Sequence, residues 1–416
     1  MTPARPLPLW AGRTTAVIGI ILIALSLRSA VAAISPISLE ISKDIDLTTI
    51  GLGLIGMLAP VFFAAAGLIA PPIARRLGLE ATLLVALGAM VVGHLLRAGA
   101  QSFGMLFAGS AIALCAMGIG NVLLPPIVKR YFPDRIGFVT ALYATLMSIS
   151  TALPALGAAP IADSLGWRVS LAVWSVTAVA AAVPWIVLFW RHRRSAAAVK
   201  ERAAEDDAPE LPEAPPALLG RMWHSRTAWA ITISFAVSSI SAYSMFAWLP
   251  RILIDTAGVS PVVAGSLLAL LSAAGLPASI IAPILVVRLK RPSGIILAGI
   301  AFFVAGYLGL LIAPEVLTWL WVFLIGLGPI LFPVSLVLIN ARTKSQQASA
   351  ALSGFTQGIG YTVGALGPLL VGVFHDLSGG WTVPLLFLFG MSLLGIIAAV
   401  MLRTPRFIED DLASRN

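Results

Sequence analysis

Arg28 lies inside an apolar run reaching from about Thr14 to Leu39, with about 14 residues of that run before it and about 11 after. On insertion scales a guanidinium at mid-span costs at least ~2.5 kcal/mol and cannot easily snorkel out, so it must face protein or water. All 18 acidic residues fall in loops or at span ends, so the sequence offers no intramembrane carboxylate to neutralise it. The counter-charge is expected to come with cargo, an anionic or strongly electronegative solute whose carboxylate, nitro or cyanate group suits a planar donor fork. The competing reading has Arg28 capping backbone carbonyls near Pro36 or at another helix break, with no ligand involved. Ala32 and Ser35 continue along its helical face, with Val31 at the edge. These small residues leave room beside the guanidinium or let a neighbouring helix pack closely.

Four further polar residues sit within apolar runs: Asn121, Tyr143, Gln357 and Tyr361. Gln357 and Tyr361 are four apart and share a helical face, which suits a hydrogen-bonding pair toward a solute; bonding between helices would use the same groups. Thr151 and Ser335 are weaker candidates, because hydroxyls often bond their own helix carbonyls. Tyr243, Phe246 and Trp248 precede Pro250 at the end of a span, as an interfacial aromatic belt would or as a gate against a planar solute. His94 and Arg97 close another span, where snorkelling to the interface accounts for them. Gly360, Gly364 and Gly367-Pro368 permit close helix approach and a local bend. No Walker-type phosphate loop and no His-Glu-x-x-His pair is present, so neither ATP hydrolysis nor a metal centre is expected and no cofactor is implied.

The elements holding these residues follow from composition. Of 416 residues, 59% are hydrophobic and 11% charged, far from the usual soluble range. Apolar runs of roughly 20 residues recur throughout, and backbone groups in lipid must be satisfied within each span, so helices are implied. Six spans are expected at about Thr14 to Leu39, Ile50 to Ile73, Ala81 to Leu96, Phe103 to Val128, Gly137 to Ala162 and Trp167 to Trp190. Six more follow at about Thr227 to Pro250, Val259 to Val287, Gly294 to Ile312, Val316 to Asn340, Ala350 to Phe374 and Trp381 to Leu402. The expected division is an N-terminal six-helix bundle at 1–190, a linker at 191–226, a C-terminal bundle at 227–402 and a tail at 403–416. The linker combines Arg191, Arg193 and Arg194 with Glu205 to Asp207 and four prolines, which is linker chemistry.

The formal charge of +9 is spread over short loops, which excludes a nucleic-acid patch and fits topology. With both termini in the cytoplasm, Arg75, Arg76, Lys129, Arg130, Arg135, the linker, Arg288, Lys290, Arg291, Arg342, Lys344, Arg403 and Arg406 share one side. The other side keeps Lys43, Arg97, Arg168 and Arg251. Met1 to Arg13 lacks a clear cleavage site before its full-length span, so the first span is expected to stay. The lone Cys115 excludes a disulfide framework within the chain.

The halves also read as copies. Gly118, Gly120 and Pro125 are spaced as Gly326, Gly328 and Pro333 are, while Ala155-Leu-Gly157 with Asp163 and Gly166-Trp167 parallels Ala365-Leu-Gly367 with Asp376 and Gly380-Trp381. Such duplication places a solute path between halves.

The chain resembles the major facilitator superfamily and, within it, the cyanate and nitroimidazole transporter branch (CynX/NimT). Leu27-Arg28-Ser-Ala-Val-Ala-Ala-Ile-Ser35-Pro36 is similar to the branch's Asn-Leu-Arg-Pro-Ala motif ending in Gly/Ser-Pro. Gln357-Gly-Ile-Gly360-Tyr361, with Gly367-Pro368 and His375-Asp376, resembles its second signature. Ser26 and Ser29 stand where the branch has Asn and Pro, which puts the solute's identity in question. Ala74-Arg75-Arg76-Leu77-Gly78 is a degenerate superfamily gate motif without its acidic residue, so no gate pair carries over.

The expectation is an all-α integral membrane protein of twelve helices, a secondary transporter of small anionic or electronegative solutes, working by alternating access in the cytoplasmic membrane. Candidate solute contacts are Arg28, Ser35, Asn121, Tyr143, Gln357 and Tyr361, with Tyr243, Phe246 and Trp248 as gate candidates; no catalytic or metal-binding residue is expected. Partners are the bilayer, a small solute and, for any coupling, protons or a counter-anion, through the solute's own charge, a loop-edge acid such as Asp134, or exchange for another anion; a monomer is expected. A multidrug exporter would prefer cationic lipophiles, which a central arginine repels. A membrane enzyme or sensor would need an acid, base or metal constellation or an appended domain.

Overall fold

The computed structural model describes residues 13–132, 134–199, 220–288 and 292–413, and the secondary structure found there is helical. Among the described residues, eleven helices are long and apolar enough to cross a bilayer, and a twelfth, Pro261–Arg288, carries a shorter apolar stretch at Pro261–Pro277. Contacts divide the chain into two compact units, Met1–Ala33 with Ala65–Leu211, and Ile34–Ala64 with Pro212–Asn416.

The first unit contains α1 (Thr14–Ser26) and α2 (Ser29–Ala32), then the end of α4 (Thr49–Leu77), α5 (Leu79–Ala98), α6 (Phe103–Tyr131), α7 (Ile136–Leu165), α8 (Trp167–Ala172) and α9 (Trp174–Val199). Gly78 and Gly166 take φ +85 between consecutive helices, a backbone state that a Cβ opposes, which lets the chain reverse without a loop. Helices α5 and α6 approach until a Cβ on Gly93 would stand 2.5 Å from the Ala113 nitrogen. With little apolar driving force between helices in lipid, such backbone proximity supplies the packing.

The second unit contains α3 (Ser38–Ser42), the start of α4, α10 (Arg226–Ala257), α11 (Pro261–Arg288), α12 (Ser293–Ile312), α13 (Thr318–Leu327), α14 (Leu331–Ala341), α15 (Gln346–Ser378), α16 (Thr382–Leu393), α17 (Gly395–Met401) and α18 (Ile408–Ala413). Its centre is the α10–α15 pair, where Gly360, Gly364 and Gly367 seat Phe235, Ser239 and Ile240. The end of the first span joins this unit because the Ser35 hydroxyl donates to the Ala247 carbonyl at 2.6 Å. The start of α4 joins it because Gly56 seats Ala247 and Pro368.

The duplicated glycines are used differently. Gly120 lies in the unbroken α6 and seats Leu27, whereas Gly328 opens a 3₁₀ turn, Gly328–Ile330, between α13 and α14 and seats Phe303. In the second copy of the glycine turn the positive φ falls on Gly379, one residue before the Gly380 that the sequence match aligns.

The chain's end folds back as α18. Ile408 donates its N–H to the Arg342 carbonyl at 2.9 Å, and Glu409 accepts from the backbone N–H groups of Lys344 and Ser345. Asp411 Oδ2 accepts from Thr227 N–H, the Thr227 hydroxyl and the Ser225 hydroxyl, at 3.0, 2.7 and 3.1 Å. A carboxylate at a helix N-terminus satisfies orphan donors and complements the dipole.

Candidate functional site

The first span is three pieces. Helix α1 ends at Ser26, α2 runs from Ser29 to Ala32, and a 3₁₀ turn, Ser35–Ile37, leads into α3. Arg28 stands at the first break with φ −126 and ψ 0, half-buried. Ser150 of α7 splices this break: its hydroxyl accepts the Arg28 N–H at 3.1 Å and donates to the Leu25 carbonyl at 2.6 Å. One hydroxyl thus stands in for a missing turn of backbone bonding, which membrane-embedded backbone requires. The apolar span runs from Thr14 to Ala32, and Arg28 sits in its last third, at the gap between α1 and α2 rather than in the middle of an unbroken helix.

Beside the start of α2 stand His94 and Arg97 of α5, both 0% exposed. This corrects the snorkelling reading: neither side chain reaches the surface. Arg97 Nη2 makes a long 3.4 Å bond to the Ala30 carbonyl, while Nε and Nη1 have no hydrogen-bond partner among the described residues. The His94 Nε2 and Ser29 hydroxyl are 3.3 Å apart. The backbone of α6 closes on this group, since a Cβ on Gly109 would lie 2.8 Å from the Arg97 nitrogen.

Of the other candidates, Asn121 on α6 and Tyr143 on α7 are half-buried in the first unit. Ser35, Gln357, Tyr361, Tyr243, Phe246 and Trp248 belong to the second. There the structure brings Tyr361 edge-on to Phe235 at 5.1 Å and to Tyr243 at 6.3 Å. Gln357 Nε2 donates to the Ser353 hydroxyl at 2.7 Å, leaving its carbonyl oxygen and a second N–H for other partners. The Ser35 proton is spent on Ala247, so toward anything else that hydroxyl is an acceptor. Trp248 is buried and donates its indole N–H to the Pro368 carbonyl at 2.8 Å.

Carriers commonly build their solute sites at discontinuous spans such as this first one, and the Major Facilitator Superfamily model matches residues 16–364. The chain belongs to the Major Facilitator Superfamily. An uncharacterised transporter of Bacillus subtilis, YycB, is 31% identical over 402 residues, covering 96% of each chain. The 2-nitroimidazole transporter of Escherichia coli is 31% identical over 390 residues, covering 93% of this chain and 94% of that one. The cyanate transport protein CynX of Escherichia coli is 24% identical and covers 87% and 90%. Among solved structures, a bacterial homologue of the human lysosomal transporter Spinster superposes with a TM-score of 0.73 over 94% of this chain and 96% of that one, at 14% identity. This facilitator is therefore a multi-pass membrane transporter and not an enzyme.

Asp134, the loop-edge acid considered for coupling, is held by Arg13 through Nη1 at 2.5 Å and Nη2 at 3.1 Å. That hydrogen-bonded pairing keeps its carboxyl below the ordinary carboxylate range, so near neutrality it is an occupied ion-pair partner rather than a proton carrier. Ser150 is the site residue that sequence reasoning missed. Its neighbour Thr151 donates to the Met147 carbonyl at 3.1 Å, within its own helix, and only the coordinates distinguish the two hydroxyls.

Proposed function

We propose that this facilitator moves a small anionic or strongly electronegative solute across the cytoplasmic membrane by alternating access, with Arg28 as the principal solute contact. The observation that carries the reading is the placement of Arg28 at a spliced break in the first span, half-buried. Charged groups within membrane spans are by default functional, and carriers build solute sites at broken helices. The names of two relatives, for 2-nitroimidazole and cyanate, point to small solutes that are anionic or carry electronegative groups. Ser35, Asn121, Tyr143, Gln357 and Tyr361 complete the proposed contact set. Tyr243, Phe246 and Trp248 form the proposed gate. Bundles at 1–190 and 227–402, joined by the 191–226 linker, are the proposed moving bodies of a monomer. The excess of basic residues on one side of the spans supports cytoplasmic termini and a cytoplasmic tail at 403–416. Coupling is to protons or to a counter-anion.

Thermal unfolding of the purified protein with cyanate, formate, benzoate and 2-nitroimidazole tests the reading. A bound solute stabilises by about 2.7 kcal/mol at a hundredfold excess over Kd. At least one member of the panel raises the midpoint in the parent and fails to do so in Arg28→Ala. Equal shifts in both proteins, or no shift in the parent, overturn the assignment.

A further inference from the structure

Within the second unit, residues from α3, the start of α4, the far ends of α10 and α15, and Trp381 line a partly open cavity of about 50 Å³. Its walls are fixed by bonds outside it. Trp248 is anchored on the Pro368 carbonyl. Asp255 Oδ2 takes both the Trp381 indole N–H at 3.0 Å and Arg251 Nε at 2.8 Å. The two indoles lie 5.5 Å apart, and His375, beside Asp376 at 3.4 Å, packs on Trp381 at 4.2 Å.

The lining has a definite polarity. Arg251 engages Asp255 through Nε, so the donors on its two terminal nitrogens lie beyond that bond. Thr48 Oγ1 accepts the Gly51 N–H at 3.0 Å and keeps its own proton to give. Helix α4, 29 residues long, starts here with the first-turn N–H groups and positive dipole end that attract anions. Ser38 and Ser42 have given their protons to the Ser35 and Ser38 carbonyls and can only accept. At roughly 10–15 Å³ of such space per water, the cavity holds a solute of about three or four heavy atoms.

We propose that this cavity is a second solute site, separate from Arg28, that takes a small linear or planar anion beside the touching Trp248 and Trp381 side chains, with its charge on Arg251 and the start of α4. The inference rests on the reading that the transporter carries electronegative solutes, and on the proposed topology the cavity lies at the outer ends of the spans. Asp255 offsets much of the Arg251 charge, so occupancy is weak and release fast, as a station at the mouth of a path requires.

Nitrite, a triatomic anion that quenches indole fluorescence on contact, is the probe, titrated into the full-length protein at constant ionic strength. The remaining tryptophans give a linear background; the site gives a saturable component. That component persists in Arg28→Gln and weakens about tenfold in Arg251→Gln, the loss of one charge-assisted contact. Asp255→Asn keeps an acceptor for Trp381 but removes the competing charge, so nitrite binds severalfold tighter. Linear quenching alone in the parent, loss of the saturable part in Arg28→Gln, or unchanged affinity in both Arg251→Gln and Asp255→Asn overturns the site. Uptake separates the two ideas. Linear quenching with Arg28-dependent uptake defeats only this site, whereas saturable Arg251-dependent quenching with full uptake by Arg28→Gln defeats only the assignment of Arg28.

Discussion

Arg28 and Arg97 are both arginines within apolar spans of the same unit, yet their surroundings differ in kind. Arg28 is half-buried and stands where the backbone itself is interrupted, with Ser150 supplying the bonds that the interruption removes. Arg97 is fully buried, is held by one long bond to Ala30, and has two nitrogens without partners among the described residues. Desolvating a cation costs several kcal/mol unless its donors are satisfied. The first arrangement suits a cation that meets a solute. The second holds a cation at depth on one long hydrogen bond, an arrangement with no room for a solute.

The strongest way to break the comparison is at Arg28. Uptake by Arg28→Ala falls about a hundredfold and by Arg28→Lys about tenfold at equal surface expression, because a point charge cannot reproduce the planar fork. Unchanged uptake in both variants would remove the distinction between the two arginines. Arg97→Met, next in size, raises thermal stability by about 1–4 kcal/mol, as when a poorly paired buried charge gives way to an apolar chain of similar volume. A fall in the unfolding midpoint instead would mean that the Ala30 bond outweighs the desolvation. Ser150→Ala costs about 1–3 kcal/mol through unsatisfied backbone groups and lowers uptake. In an Arg28→Ala background it lowers uptake no further, and additive losses in that double-mutant cycle would show that Ser150 acts independently of Arg28.

The smallest effect belongs to a paired control, Arg13 with Asp134. The carboxyl is held below its ordinary value by the Arg13 hydrogen bonds, so its stabilising contribution is complete above the unfolded value of about 3.9 and is lost as pH falls through the lowered folded value. Parent and Asp134→Asn unfolding midpoints therefore differ at pH 6 and converge on acidification below about pH 4. A constant difference across that range would refute the pairing.

Much of this was legible in the sequence because lipid imposes it. Span number and helical character follow from the recurrence of apolar runs, and the motifs around Arg28 and Gln357 carried the family. The second break in span 1 lies beside Pro36, which marks it in the sequence, but the first was not legible. Leu27-Arg28 contains neither Gly nor Pro, and a broken apolar helix has the hydropathy of an intact one. The partner that makes the first break tolerable, Ser150, lies 122 residues away. Arg97 was misread for a related reason. Hydropathy reports nearness to a span end but not which way a side chain turns, and Arg97 turns inward toward Ala30. The shift from Gly380 to Gly379 shows the same limit, since adjacent glycines give no sequence reason to prefer one for the left-handed turn.

The clasp made by α18 has a consequence for biogenesis. Asp411, Glu409 and Ile408 tie down Thr227, Lys344, Ser345 and Arg342, yet they leave the ribosome well after the residues they hold. With synthesis at roughly 5–20 residues per second, the start of α10 waits for its carboxylate until nearly two hundred later residues have been made. The second half of this transporter is therefore inserted before it is fastened, and a chain stopped short of Ile408 would reach the bilayer with that fastening missing.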